Sequence, residues 1–236
     1  MVQCSQGVEI FQALRGRLIV SCQAAVGGDP DDPMNHLDTL VRMAAAVLRG
    51  GAGGLRAEGS ERIGAFRKIT ELPVIGLIKS YDAAGDVYIT PDFVSARAVS
   101  AVGADIIALD CTRRRLQEAE PWPELIRRIH DELGRPVCAD IATIDDAVAA
   151  QSAGADAVAS TLFGYTFDTA GSRTVSWSLV EALVARVTIP VIVEGHITRP
   201  EEVRRALEMG AHAVVVGSAI TRPESITARF VRAAEG

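Results

Sequence analysis

The sequence predicts an α/β fold of one kind, a closed (β/α)8 TIM barrel with eight parallel strands, a ring of helices and a short N-terminal helix. Three observations predict it. Short apolar runs alternate with amphipathic stretches. The clearest case is IPVIVEGHITRPEEVRRALEMGAHAVVVGSAITRP (189–223), which reads as strand, turn, helix, turn, strand: a βαβ unit with a parallel sheet. The runs are introduced in two alternating ways, by Pro73, Pro136 and Pro190 or by Gly51-Ala52, Gly103-Ala104, Gly154-Ala155 and Gly210-Ala211. That alternation suits a closed barrel and has no reason to appear in an open doubly wound sheet. Finally, no GxGxxG follows the first run, so a dinucleotide site is not indicated.

The elements follow in order. An amphipathic helix over Val8–Leu14 is placed across the lower end of the barrel. The first strand, Leu18–Cys22, is apolar and β-branched, and a Gly/Asp/Pro loop separates it from a helix over Asn35–Leu48. A short strand, Gly54–Ala57, and a helix over Ser60–Thr70 precede the third strand, Val74–Lys79. The stretch SYDAAGDVYITP is longer than a usual βα connection and reads as a lid. A helix over Asp92–Val102, a strand over Ile106–Asp110, the polar loop CTRRRLQEAEPW and a helix over Glu124–Leu133 come next. Then follow Val137–Asp140 (strand), Asp145–Ser152 (helix), Ala157–Thr161 (strand) and, beyond LFGYTFDTAGSRT, Ser178–Val187 (helix). The 189–223 segment supplies the last two strands, and Glu224–Ala234 closes the chain as a helix. Each Gly-Ala glycine falls just past a helix, where a left-handed C-cap is wanted. Residues 1–236 are expected to form one domain.

Composition narrows the function. With 48% hydrophobic residues the chain can bury a sizeable core, and a net charge of −6 argues against nucleic acid or an anionic membrane as partner. No apolar run is long enough to span a bilayer, and the first residues lack a signal-peptide core, so a cytoplasmic protein is expected. Cys4, Cys22, Cys111 and Cys138 lie far apart without CxxC spacing, which predicts reduced thiols. Of 24 Lys and Arg residues only Lys68 and Lys79 are lysine. Arginine stays charged where lysine can lose its proton, so Lys79, closing the run PVIGLI, is a candidate for proton or imine chemistry.

The repeat also fixes side-chain direction. Asp140 and Glu194 lie four residues after a proline and Lys79 six, while Arg56 lies five after its glycine and Asp110, Thr161 and Gly217 seven. With a period of two, each set shares one face. Facing the helices, these charges would be buried without partners at several kcal/mol each, so they are expected to face the barrel's upper mouth. Lys79 with Glu194 or Asp140 suits proton abstraction beside a carbonyl, with Arg56 or Gln23 stabilising an enolate oxygen; a structural ion pair is the alternative. Glu194-Gly195 and Gly217-Ser218 are placed to form a phosphate cradle. Of the histidines only His196 sits near that face, which disfavours a metal site.

The segments SCQ (21–23), LRA (55–57), GLIKSY (76–81), DIIALDCTRR (105–114), ADIAT (139–143), TLFGYT (161–166), VEGHITRPEE (193–202) and VVVGSAITRP (214–223) together resemble the N-acetylmannosamine-6-phosphate 2-epimerase family. The resemblance spans roughly residues 17–232. It implies a cofactor-independent barrel of sialic acid catabolism that converts N-acetylmannosamine 6-phosphate to N-acetylglucosamine 6-phosphate. It makes Lys79 the catalytic acid/base and Glu194 its charged partner, and sets Gln23, Arg56 and Asp140 around the sugar and its acetamido group. Arg222, with amides near Gly195, Gly217 and Ser218, would hold the phosphate; Tyr165 of the TLFGYT segment is also a substrate-binding candidate. Phe163 and His196 depart from the family's usual residues: the first is expected to narrow the pocket, the second to weaken a phosphate contact. Two other readings stand beside this one, a Schiff-base aldolase or lyase using Lys79 and a sugar-phosphate-binding barrel without turnover. Exposed helices such as IRRIHDEL (126–133) are candidate homodimer faces.

Overall fold

The structure is a computed structural model that describes residues 3–24, 31–118 and 120–235, with side chains from Glu9 onward. Cys4 and the middle of the loop after the first strand therefore lie outside the described side chains. The strands are β1 (Leu18–Ser21), β2 (Gly54–Glu58), β3 (Val74–Leu77), β4 (Lys79–Tyr81), β5 (Val87–Ile89), β6 (Ile106–Asp110), β7 (Val137–Asp140), β8 (Ala157–Ala159), β9 (Val191–Glu194) and β10 (Ala213–Val216). All but β4 and β5 pair in parallel into a closed eight-stranded barrel in which β1 meets β10. The expected TIM barrel is therefore what the chain forms.

The helices are α1 (Gln3–Leu14), α2 (Leu37–Arg49), α3 (Ser60–Arg67), α4 (Phe93–Ala101), α5 (Trp122–Arg128), α6 (Ile144–Ser152), α7 (Trp177–Arg186), α8 (Pro200–Glu208), α9 (Ser218–Thr221) and α10 (Pro223–Glu235). A π-helical turn, Ile129–Leu133, extends α5. Among the described residues no helix is long and apolar enough to cross a membrane.

Alternate residues of each strand face opposite sides, so the core has two layers. Ile19, Ile75, Ile106, Cys138, Ile192 and Val215 fill the barrel interior. Val20, Leu55, Ile107, Val137 and Val158 face the surrounding helices. The strands are thus buried on both sides, which is why they read as continuous apolar runs. Helix α1 plugs the lower end: Phe11 and Leu14 join the interior layer, and His212 Nε2 lies 2.6 Å from the Phe11 carbonyl oxygen. The thiols of Cys22, Cys111 and Cys138 are free and buried.

The Gly-Ala repeat is a repeated helix stop. Gly51, Gly103, Gly154 and Gly210 adopt φ of 96°, 101°, 97° and 98°. In each case the glycine amide donates three residues back and the following alanine amide five residues back, as in Gly51→Leu48 and Ala52→Val47. This is the Schellman arrangement. The alanines, all buried, point the chain straight into the next strand. The prolines mark the complementary turn: the carbonyls of Pro73, Pro136 and Pro190 accept from the amides of Leu55, Ile107 and Val158 at the start of the neighbouring strand.

Three local expectations are corrected. The third strand does not run to Lys79 but stops at Leu77, and the supposed lid loop is a β-hairpin in which Lys79 pairs with Ile89, Ser80 with Tyr88 and Tyr81 with Val87. The Thr90 amide donates to the Ile78 carbonyl and the Ile78 amide to the Thr90 hydroxyl, closing the hairpin's base. Thr90 has φ of 49°, an uncommon conformation for a β-branched residue. Arg114 donates to the Val87 carbonyl and stacks on Tyr88, while Arg115 donates to the carbonyls of Thr90 and Pro91. The sixth strand likewise ends at Ala159, and Thr161 sits in a short 3-10 turn, Ser160–Leu162.

Candidate active site

At the C-terminal mouth, Arg56 of β2, Asp140 of β7 and Glu194 of β9 stand at inward-facing positions. Arg56 Nη2 donates to Asp140 Oδ2 at 2.6 Å, and Nη1 stands 3.1 Å from Glu194 Oε2. The Thr161 hydroxyl donates to the other oxygen of Asp140. Burial works against the Arg56 charge, but Asp140 and Glu194 outweigh it and hold the guanidinium above its ordinary value. Among the described residues Arg56 Nε and Nη1 and Glu194 Oε2 have no hydrogen-bond partner although all three are buried. The Nη1–Oε2 pair is close enough for Coulomb attraction but is not aligned as a hydrogen bond. Unsatisfied buried donors and an acceptor at the floor of an open cavity are positions for a ligand's polar atoms.

Lys79 begins the hairpin strand above this floor. Burial lowers its pKa; Glu58 and Glu194 oppose that effect, while Arg56 and Arg222 add to it, and the net shift is downward. Burial pushes the Glu194 carboxyl up to about 7, with Arg56 pulling it down and Asp140 pushing it further up. An amine brought down and a carboxyl brought up approach each other in proton affinity, which is what proton transfer near neutral pH requires.

The cavity over this floor encloses about 550 Å3. Nine of the ten residues expected in the site line it: Gln23, Arg56, Lys79, Tyr165, Glu194, Gly195, Gly217, Ser218 and Arg222. Asp140 is the exception. It is wholly buried beneath Arg56 and Thr161, so it holds Arg56 from below and does not line the space where a sugar would sit. A second cavity, about 370 Å3, opens at the opposite end between α1 and the start of β9 and contains none of the expected residues.

The cradle end is built from turns. Gly195 takes φ of 100° and His196 φ of 57°, and Gly217 precedes the single-turn helix α9, whose first amides have no acceptor within the helix. Arg222 comes pre-paired: Nη1 bonds Asp32 at 2.7 Å and Nη2 the Gln23 carbonyl at 2.9 Å. Asp32 was not legible as a site residue, because the loop carrying it has no regular pattern.

Of the two departures, Phe163 differs from the expectation, while His196 turns its ring to the neighbouring loop. His196 does not reach into the cradle with its ring. Nε2 lies 3.1 Å from the Phe163 carbonyl, and the ring stacks on Tyr165 with centroids 5.4 Å apart. Phe163 does not narrow the cavity; it faces a small void behind the loop, beside Val175, Leu179 and Val180. Among the described residues no three His, Cys, Asp or Glu side chains gather where they could hold a metal ion.

Fold and site together define a TIM barrel that gathers a lysine and a carboxylate on one cavity at its C-terminal mouth. The family described as "Putative N-acetylmannosamine-6-phosphate epimerase" matches residues 40–236. A Thermosynechococcus vestitus protein named "Putative N-acetylmannosamine-6-phosphate 2-epimerase" is 46% identical over 220 residues, 93% of this chain and 94% of its own length. A Clostridium perfringens protein of the same name is 41% identical over 221 residues, 94% of this chain and 98% of its own. The solved structure of the N-acetylmannosamine-6-phosphate 2-epimerase from Clostridium perfringens superposes with a TM-score of 0.88 at 40% identity, covering 95% of this chain and 96% of that one. The chain belongs to the N-acetylmannosamine-6-phosphate 2-epimerase family.

Proposed function

We infer that the protein is an isomerase that converts N-acetylmannosamine 6-phosphate to N-acetylglucosamine 6-phosphate, a step of sialic acid and amino-sugar catabolism. The observation that carries this reading is the placement of Lys79 and Glu194 on one cavity whose other end is a glycine-lined anion cradle. In the open-chain sugar the C2 proton is acidified by the neighbouring aldehyde. Removal of that proton sends the C2–H electron pair into an enolate, and a proton delivered to the opposite face of C2 gives the epimer. Neutral Lys79 is the base in this reading, favoured by the burial that lowers its pKa. Protonated Glu194, with a value near 7, is suited to return a proton. The unpartnered N–H groups of Arg56 are placed to stabilise the enolate oxygen. The phosphate is assigned to the amides near Gly195, Gly217 and Ser218 with Arg222, and Gln23 and Tyr165 to the sugar.

The reaction as written needs no cofactor or metal. A phosphorylated substrate suits a cytoplasmic enzyme. A homodimer is part of the proposal, and its face moves from IRRIHDEL to α10. Ile126 and Ile129 are buried, and Arg127 and Arg128 are tied to acidic neighbours, whereas α10 has no buried residue and exposes Phe230 and Val231. The function is tested by incubating the purified protein with N-acetylmannosamine 6-phosphate and EDTA and separating the products. The wild type forms the gluco epimer, and Lys79→Ala loses at least about a hundredfold in rate. A fully active Lys79→Ala enzyme would overturn the assignment of the base.

A further inference from the structure

We propose that Arg173 is a substrate-binding residue that pairs with the sugar's phosphate, delivered to the cavity rim by a strut made of His196 and Tyr165. The proposal rests on the function inferred above and adds a residue to its anion-binding end.

A sugar phosphate brings a charge of nearly −2 at neutral pH, and it must enter a cavity lined by Asp32, Glu194 and Glu224. The arginine and lysine side chains lining that cavity are Arg56, Lys79, Arg173 and Arg222. The charge of Arg56 is offset by Asp140 and Glu194 and that of Arg222 by Asp32, although both arginines face the ligand space. Lys79 stands at the proton-transfer end. Arg173 is the remaining cation, and among the described residues it forms no ion pair; its guanidinium lies 5.6 Å from the centroid of Tyr165.

The loop that carries Arg173 is held in place. Gly164 adopts φ of 89° where a Cβ would run into the Ser172 carbonyl and His196 Nε2, so the two ends of the loop and the histidine are pressed together. The Gly164 amide donates to the Thr169 hydroxyl at 2.8 Å, Thr169 is paired with Thr166, and Asp168 with Arg113. His196, immediately after Gly195 of the cradle, stacks on one side of this loop through Tyr165. The same ring therefore links the cradle to the arginine. His196 acts on the phosphate indirectly, by holding the rim on which Arg173 stands.

The test uses steady-state kinetics with N-acetylmannosamine 6-phosphate and inhibition by inorganic phosphate. Arg173→Ala is expected to raise KM about tenfold or more, with the loss in KM rather than kcat, and to weaken phosphate inhibition by a similar factor. Arg173→Lys, which keeps the charge but not the fork, recovers part of both. Unchanged KM and unchanged phosphate inhibition would overturn the proposal. So would a fall in kcat with phosphate inhibition intact, since that outcome assigns Arg173 only to holding the loop. If the wild type does not turn over this sugar, the inferred function fails. Calorimetric titration of wild type and Arg173→Ala with inorganic phosphate then still decides whether Arg173 binds the anion.

Discussion

At the scale of single residues, the site spends stability on reactivity. Glu194 titrates near 7 in the folded protein against 4.5 as an ordinary carboxyl, because it is buried. Between those values the folded state holds this proton more firmly than the unfolded chain. The group's contribution is therefore present in full below the unfolded value and lost as pH rises through about 7. Glu194→Gln cannot ionise and mimics the protonated form. Its melting temperature minus that of the wild type is expected to increase between about pH 5 and about pH 8, measured by calorimetry in matched buffers. A difference that stays flat or shrinks would show that Glu194 ionises freely in the folded state. Asp140 illustrates what a sequence pattern conveys about one residue. Its inward direction was legible from its distance to Pro136, but its depth depends on Arg56 and Thr161 closing over it, contacts between strands far apart in sequence.

At the scale of elements, the two chain reversals beneath the barrel are encoded locally, and the hairpin above it is not. Each Gly-Ala stop uses its own helix's carbonyls, so one repeat announces a whole turn. Gly154 separates the backbone effect from packing, since a Cβ there meets nothing within 4 Å while φ is 97°. Gly154→Ala is expected to cost about 1–2 kcal/mol in urea denaturation, the strain of a left-handed L-residue. No measurable cost would mean that the helix stop does not depend on that conformation. The hairpin of β4 and β5 reads as a loop because its apolar residues are few and its fixing groups, Arg114 and Arg115, lie beyond the next strand. The His196 strut was hidden for the same reason: a histidine beside a glycine announces neither its φ of 57° nor the tyrosine it stacks on.

At the scale of the molecule, the barrel separates stability from chemistry. Apolar layers and the α1 plug hold the lower part, and the charged residues collect at the upper mouth, where the strands end and loops are free to differ. Along α10 the outer surface carries two adjacent exposed apolar side chains, Phe230, 72% exposed, and Val231. The wild type is expected to sediment as a dimer and Phe230→Glu as a folded monomer; a wild-type monomer would contradict this face as an interface. The central claim is that this mouth exchanges the C2 proton of a phosphorylated amino sugar. The most direct measurement is a proton NMR time course of N-acetylmannosamine 6-phosphate with the enzyme in D2O containing EDTA. The account predicts N-acetylglucosamine 6-phosphate carrying deuterium at C2, whereas an absence of product from folded protein, or an epimer that retains its original C2 proton, would contradict it.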